Sequence, residues 1–96
     1  MSVINLAIFF VMEKFPDRRD LVKRLFSASA NFQTLCEDFR QCSEALRYWI
    51  QSMETDAPAR RLEYKALQRE LAGEIVRFLN EADKQPPNRG GAKIES

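Results

Sequence analysis

Histidine is absent from this chain of 96 residues, and cysteine, glycine and proline are all rare. Without histidine, the chain lacks the commonest general base and the commonest metal ligand of proteins. The 2 cysteines are Cys36 and Cys42, six positions apart. On one helix that spacing is a rotation of about 240° around the helix axis, which points the two thiols in different directions. They can therefore neither form a disulfide nor share a metal ion. We therefore expect no metal, no cofactor and no enzymatic activity, and a reducing, cytoplasmic location.

The scarcity of glycine and proline predicts a helical protein. Only 3 glycines and 4 prolines occur, and of these only Pro16 and Pro58 precede Gly73. Long stretches free of both residues are typical of helices. With 45% hydrophobic and 30% charged residues, the chain has the composition of one small folded domain. Its formal net charge of +1 gives no general attraction to nucleic acid or to anionic membranes.

The strongest pattern is an apolar heptad repeat through residues 21–53, in which spacings of four and three alternate without interruption. Val22, Cys36 and Ile50 widen the stripe to about three positions in seven, which suits packing against several helices. The repeat consists of Leu21, Leu25, Ala28, Phe32, Leu35, Phe39, Cys42, Leu46, Trp49 and Met53.

Two helical arms follow from the boundary signals. The first arm is predicted over residues 16–54, because Pro16 suits the first turn of a helix. Serine and asparagine residues between 27 and 31 leave two possibilities: one continuous helix, or a fresh helix capped by Ser29 or Asn31. The sequence favours the break. A second arm, capped by Thr55 or Asp56, is predicted over residues 57–84 and runs antiparallel to the first, with a disordered tail at 85–96.

The second arm carries an apolar row and an acidic row. Carboxylates spaced along one helical face can hold metal ions in bundles, but those sites also use Glu-x-x-His pairs. We therefore interpret the acidic row as a solvated, partly paired face. The apolar row comprises Tyr64, Leu67, Leu71, Ile75, Phe78 and Ala82, widened by Leu62, Val76 and Leu79; the acidic row comprises Glu63, Glu70, Glu74 and Glu81.

Residues 3–12 form a short apolar run, interrupted only by Asn5. Ten residues are too few to span a bilayer, and the run has no polar face, so no membrane association is expected. No basic residue precedes it and no cleavage site follows it, so we expect no secretory signal. Periodicity leaves open whether the run is helix or strand. We predict that it packs on the hairpin or across an oligomer; the alternative is a dispensable extension.

Two kinds of candidate binding residue stand out. Phe26 lies off the apolar stripe, and Trp49 and Tyr64 flank the predicted turn, so these aromatics are candidates for contact with a protein partner or for core packing. Cys36, at the stripe edge, is either a buried hydrophobe or a redox-reactive thiol. Candidate phosphate-binding residues, otherwise an ordinary charged surface, are Arg18, Arg19, Lys23 and Arg24 in a first basic cluster and Arg60, Arg61, Lys65 and Arg69 in a second.

Several segments resemble the YdcH-like small helical-hairpin proteins, over roughly residues 15–79. They are Phe15-Pro16, Arg19-Asp20-Leu21-Val22, Leu25, Phe32, Leu35, the stretch from Glu63 to Leu67, Glu70-Leu71 and Glu74-Ile75. The resemblance implies a helical hairpin and a short helix before a break near Ser29, and it implies no activity. The histidine-containing polar stretch usual in that family has no counterpart near Phe39-Arg40.

The predicted fold is all-α: an antiparallel helical hairpin with a shorter N-terminal helix, in one domain over residues 1–84. Two helices cannot cover such wide stripes on each other, so we expect a homo-oligomer. The predicted function is a non-catalytic interaction or structural module with an unidentified protein partner. The alternative is a nucleic-acid-associated protein that uses the two basic clusters.

Overall fold

A computed structural model describes residues 6–84, and the predicted tail at 85–96 lies outside these residues. The elements in chain order are α1 (Leu6–Lys14), a 3-10 turn (Pro16–Arg18), α2 (Arg19–Ala28), α3 (Ala30–Gln51) and α4 (Ala57–Lys84). Within the described range there is no strand, so the all-α prediction is confirmed. Helices α3 and α4 form the antiparallel hairpin, and α4 occupies the residues predicted for the second arm.

The N-terminal apolar run is helical from Leu6 onward, which resolves the choice between helix and strand for that part of it. Ala7, Val11 and Met12 are buried, and α1 packs against both α2 and α3. The helix ends at Lys14 because the residue before a proline is disfavoured in helical conformation. Phe15, which precedes Pro16, accordingly has φ −126° and ψ 67°.

The break between α2 and α3 consists of Ser29 alone, in extended conformation with φ −132° and ψ 117°. The Ser29 amide donates to the Leu25 carbonyl at 2.9 Å, which closes α2. The Ser29 hydroxyl accepts a hydrogen bond from the Phe32 amide at 3.1 Å, which caps α3. The break that the sequence favoured therefore lies at Ser29.

The core lies where α1, α2, the first half of α3 and the second half of α4 meet. Phe32 is fully buried, with its ring edge-on to Phe78 at a centroid distance of 5.4 Å. Ile75 and Leu79 of α4 are also fully buried, so Leu79, predicted only to widen the α4 row, is a central core residue. The buried cluster is Ala7, Val11, Met12, Leu21, Val22, Phe32, Leu35, Cys36, Phe39, Ile75 and Leu79.

The predicted apolar stripe is wrong at three positions. Ala28 is exposed, because the break at Ser29 separates the face of α2 from that of α3. Helix α3 ends at Gln51, before Met53, whose exposed fraction is 98%. Ile50, in the last turn of α3, is also exposed. The prediction for α4 fails at Leu62 and at Leu67, whose exposed fractions are 71% and 41%.

Candidate interaction surface

The hairpin of α3 and α4 is held in register by polar contacts as well as by its core. The Gln68 side-chain amide donates to the Ser43 hydroxyl at 2.9 Å, and the Cys42 thiol donates to the Tyr64 carbonyl at 3.4 Å. A two-helix hairpin has two lateral sides along which its helices meet. Different residues line these two sides, and this difference defines the candidate site.

One side of the hairpin is next to α1. Phe10, Glu13 and Lys14 of α1 line an open cleft of about 350 Å³ together with Phe39, Leu46 and Ile50 of α3. Phe39 and Leu46 are buried, whereas Ile50 is exposed.

The other side of the hairpin carries an open groove of about 460 Å³. Cys42 is buried at its floor, while Leu67 is 41% exposed at its edge. A shallower depression of about 320 Å³ lies beside Phe78, seven residues beyond Leu71 on the same face of α4. The groove is lined by Asp38, Gln41, Cys42, Ala45, Tyr64, Leu67 and Leu71.

The edge of the open groove is acidic. On α4, Glu63 lies four residues before Leu67, and Glu70 and Glu74 lie three and seven residues after it. These spacings place the three carboxylates on the same helical face as Leu67. Asp38 lies on the α3 side of the groove. In the part of the chain that the structure describes, Asp38, Glu70 and Glu74 form no ion pair.

Two arginines lie within this acidic edge. Arg60 pairs with Glu63 at 3.1 Å and with Asp56 at 3.6 Å, and these neighbours raise its pKa. Arg77 lies three residues after Glu74. The acidic rim, as we use the term, comprises Asp38, Glu63, Glu70, Glu74 and Glu81. The cations beside these carboxylates are Arg60, Arg77 and Lys84, whose ammonium lies 3.9 Å from Glu81.

Of the candidate partner-binding aromatics, the structure places only Tyr64 in the open groove. Trp49 lies near the hairpin turn, where its ring packs edge-on against Tyr48 with 4.9 Å between the ring centroids. The Arg60 guanidinium lies over the Trp49 ring, 6.0 Å from its centroid. The Tyr48 hydroxyl donates to Glu54 at 2.6 Å, and this bond to a carboxylate raises the Tyr48 pKa. Phe26 is partly buried and packs against the core cluster.

The structure does not join the two basic clusters. Arg18 pairs with Asp83 at 2.8 Å and also donates to Asn80, so the first cluster lies beside the end of α4. The second cluster begins at Arg60, about 30 Å away along α4 at 1.5 Å per residue. The remaining cations of the clusters are Arg19, Lys23 and Arg24, which are exposed, Arg61, which is half-buried, and Lys65 and Arg69, which are exposed.

Both thiols are buried and free. Burial raises the pKa of Cys36 to about 12, and it also raises the pKa of Cys42. A thiol that stays protonated at neutral pH is a poor nucleophile and a poor metal ligand. These properties favour the interpretation of Cys36 as a buried hydrophobe.

Within residues 6–84, no three histidine, cysteine, aspartate or glutamate side chains lie where they could jointly hold a metal ion. None of the helices in this range combines the length and the apolarity needed to cross a membrane.

Sequence reasoning missed the groove as a site, although it identified several of its residues. Cys42, Tyr64, Leu67 and Leu71 all belong to the predicted apolar rows. The acidic row beside Leu67 was a further signal, because like charges beside an apolar row can border a binding surface. What the pattern could not show was that Asp38, Gln41 and Ala45 of α3 line the same groove.

Comparisons with protein-family models, with curated proteins and with solved structures found no match to this chain. The resemblance to the YdcH-like proteins therefore stays a prediction from sequence motifs, and the chemistry of the site carries the functional proposal.

Proposed function

We propose that this protein is a non-catalytic helical interaction module that binds a protein partner in the open groove. The observation that carries the proposal is the apolar groove between α3 and α4, where Leu67 is 41% exposed at the edge beside the buried Cys42. Apolar surface left beside a well-packed core is typical of binding surfaces.

The chemistry of the side chains supports a non-catalytic role. The chain has no histidine, and both thiols are buried with raised pKa values. Histidine and cysteine, the residues that most often provide a general base near neutral pH and an activated thiol, therefore supply neither group here. The two free thiols also support a reducing, cytoplasmic location.

Self-association is part of the same proposal. Leu6 and Phe9 are exposed on α1, away from the groove, and they offer an apolar surface to a second copy of the chain. A small helical domain gains stability when such surfaces are buried in an oligomer.

The nucleic-acid alternative rests on the exposed cations Arg19, Lys23 and Arg24. Its support is weaker, because Arg18 already pairs with Asp83 and the second cluster lies at the opposite end of α4. Retention on nucleic acid that falls steeply with salt would favour this alternative over the first proposal.

The test compares two substitutions on α4. Leu67→Asp alters the groove, and Leu62→Asp makes the same chemical change at a more exposed site off the groove. In pull-downs from the native host, we expect one defined protein to be retained by the wild type and by Leu62→Asp and lost with Leu67→Asp. Equal retention by all three proteins would contradict binding through the groove.

A further inference from the structure

We infer that the partner segment in the open groove is a cationic amphipathic helix, with an apolar row flanked by lysine or arginine. This inference rests on the proposed function and deepens it, because it names the chemistry of the partner. It depends on two separate properties of the groove, its apolar shape and the sign of its rim.

The shape of the groove suits a helix. The groove runs between two antiparallel helices, so a third helix laid into it would complete the packing on that side, as in a three-helix bundle. Its floor contains the small residues Cys42 and Ala45, which allow close approach, and Leu67 and Leu71 lie along its α4 edge. A partner helix would meet these residues with apolar side chains at i, i+3, i+4 and i+7.

The rim sets the charge of the partner. Its five carboxylates outnumber the three cationic side chains beside them, and Asp38, Glu70 and Glu74 have no ion-pair partner among residues 6–84. Lysine or arginine side chains beside the apolar row of an incoming helix would place opposite charges next to these carboxylates. The opposite side of α4 carries Arg61, Lys65 and Arg69, so the negative potential is particular to the groove side.

The same charges argue against two other occupants. Two copies of this chain joined groove to groove would bring two acidic rims together, which is unfavourable. A nucleic acid would present phosphates to carboxylates. Self-association through α1 avoids this repulsion and remains compatible with a cationic helix in the groove.

The experiment uses two labelled synthetic helical peptides with the same leucine row, one flanked by lysine and the other by glutamate. Fluorescence anisotropy with the full-length protein measures their affinities at about 50 mM and about 300 mM salt. We expect the lysine-flanked peptide to bind at least about tenfold more tightly at low salt, and this preference to shrink at high salt.

Charge reversal supplies the decisive variants. Glu70→Lys combined with Glu74→Lys should shift the preference toward the glutamate-flanked peptide. Lys65→Glu combined with Arg69→Glu, on the opposite side of the same helix, is the matched control and should leave the preference for the lysine-flanked peptide in place. Circular dichroism verifies that both double variants stay helical, which exposed positions permit.

The outcomes separate this inference from the proposed function. Equal binding of both peptides, abolished by Leu67→Asp, would overturn the charge inference and leave the groove as a docking site. Binding that survives Leu67→Asp unchanged would place the peptide elsewhere and overturn the inference. Binding of neither peptide would overturn both the inference and docking of a helix in this groove.

Discussion

At the scale of single residues, Ser29 joins two helices in an extended conformation. It ends α2 with its backbone amide and begins α3 with its side-chain hydroxyl. Beside it, the Gln33 side-chain amide donates to the carbonyl of Phe26 and gives a partner to the end of α2. These bonds allow two helices to meet at a single extended residue.

Ser29→Ala should therefore destabilise the protein by about 1 kcal/mol, the usual cost of removing an N-cap side chain. Ser29→Asp is the matched control, since a carboxylate can accept the same bond from the Phe32 amide and should retain most of the stability. Urea unfolding followed by circular dichroism measures both changes. An unchanged midpoint for Ser29→Ala, or an equal loss for Ser29→Asp, would show that the cap is not what holds the break.

At the scale of helices, the seam of α3 illustrates what periodicity can predict. Phe32, Leu35, Phe39, Cys42 and Leu46 are all buried, as the heptad spacing predicts. The same spacing continued through Ala28 and Met53, where burial fails because a cap and a turn end the helix. Periodicity reports which face of a helix is apolar, whereas termini depend on local hydrogen bonds that the stripe does not encode.

Phe39→Ala tests the seam at its middle. The side chain is buried in the core cluster, so its removal should cost about 3–5 kcal/mol and lower the melting temperature markedly. Leu62→Ala also shortens a large apolar side chain, at an exposed position of α4 away from the core, and should cost much less. Thermal melting of the three proteins measures the difference. Equal melting temperatures for wild type and Phe39→Ala would contradict the packing of the seam.

The candidate site was harder to predict than the helices, because it depends on how two helices pack against each other. The spacing of Leu67, Leu71 and the acidic rim is readable from the sequence, because it lies on one helix. The groove, however, also needs Asp38, Gln41 and Ala45 of α3, whereas α1 lines a different cleft of the hairpin. Neither fact follows from the pattern of any single helix.

At the scale of the whole molecule, the exposed apolar residues of α1 predict self-association. Light scattering at micromolar concentration should show a dimer or a larger assembly, because a small domain gains stability by covering such a surface. Leu6→Ser combined with Phe9→Ser should shift the protein toward the monomer. Leu67→Asp should leave the assembly unchanged, because Leu67 lies on the groove. A monomer that unfolds cooperatively would contradict self-association, and dissociation by Leu67→Asp would place the contact in the groove instead.

The packing of helix α1 indicates that the N-terminal run is structural, a choice that the sequence left open. Ala7 and Val11 are fully buried in the same cluster as Phe32 and Ile75. A protein that begins at Met12 would lose this packing and expose apolar surface of α2 and α3 to water. It should therefore melt at a lower temperature and change its oligomeric state. The Leu6→Ser and Phe9→Ser double variant separates the two effects, since it keeps the buried face of α1 and alters only the exposed one. If the shortened protein matched the full chain in both size and melting temperature, the run would be a dispensable extension.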